Sequence, residues 1–493
     1  MALWTFKRLL RSGIFGCLTL LAVGQSAQAA PPPISVSAFA DEGVAPDSGG
    51  LFGFFAGIDR SSALLGDMWG LRRALSKSGI SLAVLETSEQ LGNLTGGTRK
   101  GFVYDGLTQI VGQMDTRRAF GHYGGLLNVS LLNLHGSNLS TQNLQSLQTA
   151  SGIEGDRSTR LWEFWFDQKF LEEDRLSLRL GQQSLDQEFM VSGNALYFVN
   201  TMFGWPMLPS ANMPSGGPAY PLSALGVRMS ARPVDGVTVL AGVFNGNPVK
   251  NDNGSDPQTQ NRHGTSFPLN GGRLYIAEAQ LSYPTLGSMV EPGQTKSLGW
   301  TYKIGAWYNS NMASDMALDA NGLSLSDPAS NGNALQHPGN YAFYAVADQL
   351  VWRDDMDPNR TIALFARLMG TPLKDRNLID ASLNLGVLMH SPLRNRPADS
   401  VGIGMGYAHV SPRAAQSDVS SHAFNGVSAP VRSHEQFVEV TYQYQWKPWL
   451  QIQPDVQYVF NPGAGLANPN NLNNPTLRIH NELVVGVRTN ISF

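Results

Sequence analysis

The sequence predicts an all-β protein, a transmembrane antiparallel β-barrel of about sixteen strands behind a short N-terminal helical segment. Three observations predict it. Apolar residues recur at every second position through most of Ile80 to Phe493, the period of a strand with one greasy face. Connections alternate between short and long, as they do when turns lie on one side of a membrane and loops on the other. Charged residues make up only 15% of the chain, against ~25% in soluble domains, and no later run reaches the 18 apolar residues of a spanning helix.

The first 29 residues read as an export signal. Lys7, Arg8 and Arg11 form a basic start, Gly13 to Val23 is apolar, and Ala27-Gln28-Ala29 is a small-x-small cleavage site. Ala30 is therefore the expected mature N-terminus. The only cysteine, Cys17, lies inside the signal, which excludes disulfides, thiolate metal sites and a cysteine nucleophile from the mature chain. The signal carries three of the 35 basic residues and none of the 38 acidic ones, leaving 32 against 38. That balance argues against nucleic acid as a partner.

Residues 30–62 are expected to form a loose segment rich in Pro, Ser, Ala and Gly. Residues 63–79 place Leu64, Leu65, Met68, Leu71 and Leu75 at roughly helical spacing and end on Gly79, predicting a short periplasmic helix. The barrel is then expected over 80–493. Its strands are expected near positions 80, 101, 123, 160, 175, 222, 237, 273, 298, 340, 360, 379, 399, 433, 450 and 480. Short links fall at 172–174, 233–236 and 447–449, and long ones at 136–159, 186–221, 246–272, 309–339, 411–432 and 461–479.

A spanning sheet must close on itself, because lipid offers its backbone no hydrogen bonds. Its outer face must be apolar and its inner face is free to be polar. In "RLWEFWFDQKF" (160–170), Trp162, Phe164 and Phe166 are expected to face lipid, and Glu163, Trp165, Asp167 and Lys169 the lumen. A three-residue turn at 172–174 sets Asp167 opposite Arg179 and Glu163 opposite Gln183. The same logic around Lys447-Pro448-Trp449 sets Glu439 and Thr441 beside Gln453, Asp455 and Gln457. By parity, Arg228, Glu278, Arg367 and Arg488 also point inward.

Such a wall of amides, carboxylates and guanidinium groups offers donors and acceptors to sugar hydroxyls; its charge pairs can equally brace the barrel. Trp165 can stack on a pyranose ring or pack beneath a folded-in loop. The apolar loop 186–221 is unusual for a solvated surface, and folding into the barrel would explain it. Inward Gly402, Gly404 and Gly406 leave room in the lumen. No GxSxG, HExxH, Walker A or CxxC pattern is present, and the nine histidines lack metal-ligand spacing. No catalytic residue, metal or cofactor is therefore expected.

These segments resemble the carbohydrate-selective porins of the OprB family. "LLGDMWGLRRALSKSGI" (64–80) is similar to that family's opening segment, with the tryptophan displaced by Met68. "LWEFWFDQKF…LSLRLGQQSLDQEF" (161–189), "YPLSALGVRMSARP" (220–233), "YIAEAQLSY" (275–283) and "EQFVEVTYQYQWKPWLQIQPDVQYVFNPG" (435–463) are similar to later blocks. The resemblance implies a sixteen-stranded outer-membrane channel for passive diffusion of glucose-like monosaccharides or disaccharides, with Arg and acidic residues at its constriction. It also implies that Phe493 is read by the barrel-assembly machinery. One chain should close one barrel, so a monomer is expected, with a trimer left open. The competing readings are a non-selective porin, a barrel plugged by its loops, and an outer-membrane enzyme with an acid/base cluster at one rim.

Overall fold

The computed structural model describes residues 63–250, 255–283 and 298–493; the expected signal, Cys17 and the segment 30–62 lie outside them. Among the described residues, sixteen strands pair antiparallel with their chain neighbours, and the first pairs with the last to close a barrel. The first half comprises β1 Ile80–Thr95, β2 Gly101–Asp115, β3 Gly125–Gly136, β4 Ser158–Phe170, β5 Leu176–Gln183, β6 Ala224–Ala231, β7 Val237–Asn245 and β8 Arg273–Tyr283. The second comprises β9 Trp300–Asp319, β10 Ala334–Arg353, β11 Thr361–Gly370, β12 Ile379–His390, β13 Ser400–Val410, β14 His434–Lys447, β15 Leu450–Phe460 and β16 Glu482–Ser492. Every expected start falls on one of these strands or within two residues of it.

The registers follow from parity. Asp167 lies opposite Arg179, Glu439 opposite Gln457, and Thr441 opposite Asp455. Outward positions carry large apolar side chains, among them Phe164 (46% exposed) and Phe166 (37%).

Three expectations are corrected. Trp162 does not face lipid. Ser130 pairs with Glu163 and Leu131 with Leu161, so Trp162 is the extra residue of a β-bulge, which reverses the facing of one strand segment relative to the next. It is buried against Tyr220 (ring centroids 6.1 Å apart, nearly perpendicular). The loop expected over 309–339 is mostly strand: β9 and β10 are 20 residues each and run on as a paired hairpin, with only 320–333 between them. Both faces of that extension carry polar residues, so the period that marks the membrane-spanning part fades there. The helix expected over 63–79 is confined to Leu71–Lys77, because Met68, Trp69 and Gly70 all adopt left-handed φ values, which do not propagate a right-handed helix.

The segment at Leu64 and the C-terminal residues Ser492 and Phe493 meet beside this helix. Leu64 N–H donates to the Ser492 carbonyl (2.7 Å) and Phe493 N–H to Val84 (2.9 Å). The Arg72 guanidinium donates to Gly66 (2.8 Å) and to the terminal Phe493 oxygen.

Candidate functional site

The longest connection, residues 184–223 between β5 and β6, folds into the barrel. Its Phe189, Met190, Phe198, Met202, Phe203, Trp205 and Met207 pack with wall residues Phe244, Trp307, Phe365 and Phe437 in one core cluster. Room for it is made by glycine. A Cβ at Gly402 or Gly404 would lie 2.6 Å from the rings of Phe198 and Phe203 respectively, and one at Gly406 would lie 2.1 Å from Phe437. These are closer than any real contact, so Gly402 and Gly404 of β13 seat the loop, while Gly406 makes room for the wall residue Phe437.

Wall carboxylates hold the loop by accepting its backbone N–H groups. Glu439 accepts from Val199 (2.6 Å) and Asn200 (2.9 Å), Glu278 from Met190 (2.8 Å), and Glu163 from Ser184 (2.9 Å). Asp348 accepts from Gly193 N–H (3.1 Å) and the Ser192 hydroxyl (2.6 Å). Wall cations and amides serve the carbonyls. Arg367 donates to Met190 and Gly204 (2.9 Å each) and to Met202. Lys303 donates to Val191 (2.7 Å), Arg488 to Val199 (3.3 Å) and Gln453 to Tyr197 (2.9 Å).

All thirteen residues expected inside are on the inner face, and all but Lys169 and Arg179 are buried. Glu278, Arg367, Glu439, Gln453, Asp455 and Arg488 are buried beneath the folded-in loops. They are not a wetted wall, because each meets loop backbone or a wall neighbour where solvent was expected. Asp455 accepts from Gln457 (2.9 Å), and Arg488 also pairs with Glu89 across the β1–β16 seam (2.5 Å). Gln183 is likewise buried and donates to Gly226 (3.1 Å). Lys169 stands at the turn end of β4, paired with Asp174 (2.9 Å).

The remaining residues gather around one ion cluster. Asp167 accepts from Arg179 (3.1 Å) and Arg228 (3.0 Å). Glu188, from the loop, pairs with the same two guanidinium groups (3.5 and 2.6 Å). The Arg179 guanidinium lies 3.9 Å from the Trp165 ring centroid, a cation–π contact that covers one indole face. Beside it is a cavity of 220 Å³ lined by β2, β3, β4, β5 and the loop, with Gln109, Asn128, Ser130, Trp162, Trp165 and Arg179 on its walls. Trp162 Nε1, Asn128 Nδ2, Ser130 Oγ and Gln109 Oε1 are buried there without hydrogen-bond partners. The lining side chains supply both donors and acceptors, the mixture a polyhydroxylated solute requires. Among the described residues no group of three or more acidic, His or Cys side chains is placed to hold a metal ion.

The description "Carbohydrate-selective porin, OprB family" matches residues 99–493. The chain belongs to the OprB family. Porin B of Pseudomonas aeruginosa is 24% identical over 454 residues, covering 88% of this chain and 92% of that protein. The high-pH structure of Pseudomonas putida OprB superposes with a TM-score of 0.74 at 22% identity, covering 88% of this chain and 99% of that one. The low-pH structure of the same porin covers the same shares with a TM-score of 0.52 at 17% identity. This OprB-family chain is an outer-membrane porin for carbohydrates.

Ionisable groups in the porin's loops report how closed the inner loops are. Burial pushes Asp186 up to about 6, against the pull of the Ser184 hydroxyl and Tyr220 N–H. Burial likewise raises Glu154 to about 8, against its Ser140 hydrogen bonds. At the exposed turn, the Tyr123 hydroxyl and Lys169 hold Asp174 below the usual range.

Trp162, Glu188, Asp348, Glu435 and the cavity-lining Gln109, Asn128 and Ser130 were missed from sequence. Trp162 was misplaced by its bulge, and Glu188 lies in a loop without period. Asp348 and Glu435 carried a signal, since both sit in strands at inward positions. Glu435 accepts from Leu147 (2.8 Å), Gln148 (2.7 Å) and Gly463 (2.6 Å) and so pins two further loops.

Proposed function

We propose that sugars are selected in the 220 Å³ cavity between β2 and β5. The single observation that carries this is a cavity walled by hydrogen-bonding side chains, Gln109, Gln113, Asn128, Ser130 and Arg179, beside the Arg179–Asp167–Arg228–Glu188 cluster. Its volume holds about seven waters at ~30 Å³ each, which one hexose ring could displace. Glucose-like monosaccharides, or disaccharides one ring at a time, cross down their gradient, exchanging hydration for brief hydrogen bonds to Glu163, Arg179 and the surrounding amides. Binding stays weak enough for exit. Trp165 acts as the platform under Arg179 and offers its remaining surface to the ring. Glu278, Arg367, Glu439, Gln453, Asp455 and Arg488 hold the loop that narrows the pore.

We infer transport without bond chemistry. Asp167 is engaged by two guanidinium groups and Glu439 by two backbone N–H groups, so neither carboxylate is poised over a cleft as a general base. The chain is exported on removal of residues 1–29 and takes up an outer position in lipid. Phe493 is the signal for the barrel-assembly machinery, and each monomer conducts as a complete pore.

Single-channel conductance in a planar bilayer, with glucose titrated in, tests the sugar site. The expected result is a small open current that glucose blocks saturably. Arg179→Gln should raise the half-blocking concentration about tenfold, the loss of one charged hydrogen bond worth ~1.4 kcal/mol. A current indifferent to glucose would leave only a general pore.

A further inference from the structure

The chain carries more acidic than basic residues, 38 against 35, so cations that gather without acids need a reason. They do so at the loop end of β1 and β2. A cavity of about 390 Å³ opens there, between the 96–100 connection and the loop that joins β3 to β4. Arg99, Lys100 and Arg157 line it, and none of its lining side chains is acidic. Among the described residues no carboxylate forms an ion pair with any of the three.

Other groups hold the backbone of this corner. The Asn143 carbonyl accepts from Thr98 N–H (2.8 Å) and Arg99 N–H (3.0 Å), and the Asn93 amide donates to the Arg99 carbonyl (3.0 Å). Arg157 donates to the Gly136 carbonyl and to the Ser137 hydroxyl (3.0 Å). All three cationic side chains are exposed. The frame is therefore set while the charge of Arg99 and Lys100 is left unused.

Position decides what the cavity faces. The 96–100 connection lies at the same barrel end as the long loops after β3 and β5, the extracellular end in outer-membrane barrels. Phe102 and Tyr104 form part of the cavity wall and are exposed. The Phe102 ring lies over Gly92 of β1, where a Cβ would come within 2.4 Å. Aromatic side chains at a strand end mark the level where acyl chains give way to headgroups. Three cations thus stand directly above an aromatic floor.

We infer that this cavity binds the phosphate-bearing headgroup of an outer-leaflet lipid, whose acyl chains begin against Phe102 and Tyr104. A guanidinium fork matches two phosphate oxygens, and an ammonium adds a compact charge. A free anion would gain nothing from the aromatic floor, so a lipid is the occupant that uses both halves of the site. Each cation beside an anionic lipid surface strengthens binding about fivefold, and the three together about a hundredfold. The site is separate from the lumen and leaves conduction untouched.

Native mass spectrometry of the full barrel in mild detergent, titrated with lipid A, a diphosphorylated and multiply acylated glucosamine disaccharide, tests this. One tightly held lipid A per barrel is expected. The triple variant Arg99→Gln, Lys100→Gln, Arg157→Gln should raise the half-occupancy concentration about a hundredfold, with the single-channel current unchanged. If that variant fails to form the barrel, Lys100→Gln alone should raise it about fivefold. Equal binding of the dephosphorylated lipid would mean that the apolar floor alone holds it, and would overturn the inference. So would inorganic phosphate displacing lipid A at equal concentration, or lipid A affinity that survives the substitutions.

Discussion

Trp162 sits two residues before Phe164 in an aromatic alternation that predicts lipid on one side, yet it points into the lumen. The cause is a single unpaired residue in the β3–β4 ladder; upstream of it even positions face inward, and downstream odd ones do. Arg160, two residues earlier, is accordingly buried and donates to Pro221 (3.2 Å) and Gln258 (3.3 Å). Periodicity cannot locate such a slip, because a strand with a bulge alternates as cleanly on each side of it. Gly404 is the converse case, a residue whose parity was legible and whose partner was not. Gly404→Leu should force Phe198 and Phe203 from their seat and destabilise the barrel by ~1–3 kcal/mol. Urea unfolding followed by tryptophan fluorescence would measure it, and an unchanged midpoint would contradict the packing described.

At the scale of elements, the loop 184–223 behaves as an internal part of the barrel. It is short of regular structure, with α-helices only at Thr201–Gly204 and Met207–Asn212 and three single 3-10 turns besides. Its backbone groups therefore need partners, and the inward carboxylates and cations of β4, β8, β9, β10, β11, β14 and β16 supply them. Glu439→Ala would leave the Val199 and Asn200 N–H groups buried without acceptors, at ~1–3 kcal/mol each. The loop should then loosen and the pore widen, seen as a larger and noisier single-channel current with a weaker glucose block. A variant with native conductance would mean that the apolar packing alone positions the loop.

For the whole molecule, closure depends on the seam between the first and last strands. Ten residue pairs join β1 to β16, and one of them is the buried pair Glu89–Arg488. Arg488→Leu would leave Glu89 buried and uncompensated, which costs ~3–5 kcal/mol. The temperature at which the barrel band converts to the unfolded band on electrophoresis should fall clearly. Conversion at the native temperature would show that the backbone ladder, with Phe493 and the Arg72 contact beside it, closes the seam unaided.

The strand number, their starts, the registers of the β4–β5 and β14–β15 hairpins and the inward facing of all thirteen candidate residues were legible in the sequence. Each is a local consequence of a period of two and of turn length. The loop's apolar content also announced its inward fold. What only the tertiary structure decided is which inward residues meet water. Glu439 and Arg179 carry the same signature, an ionisable side chain at an inward position. One is sealed by backbone from a segment some 240 residues distant, while the other stands beside a cavity. Burial inside a closed barrel is set by whichever loop returns to cover a given stretch of wall, and that depends on contacts remote in sequence, which no local period records.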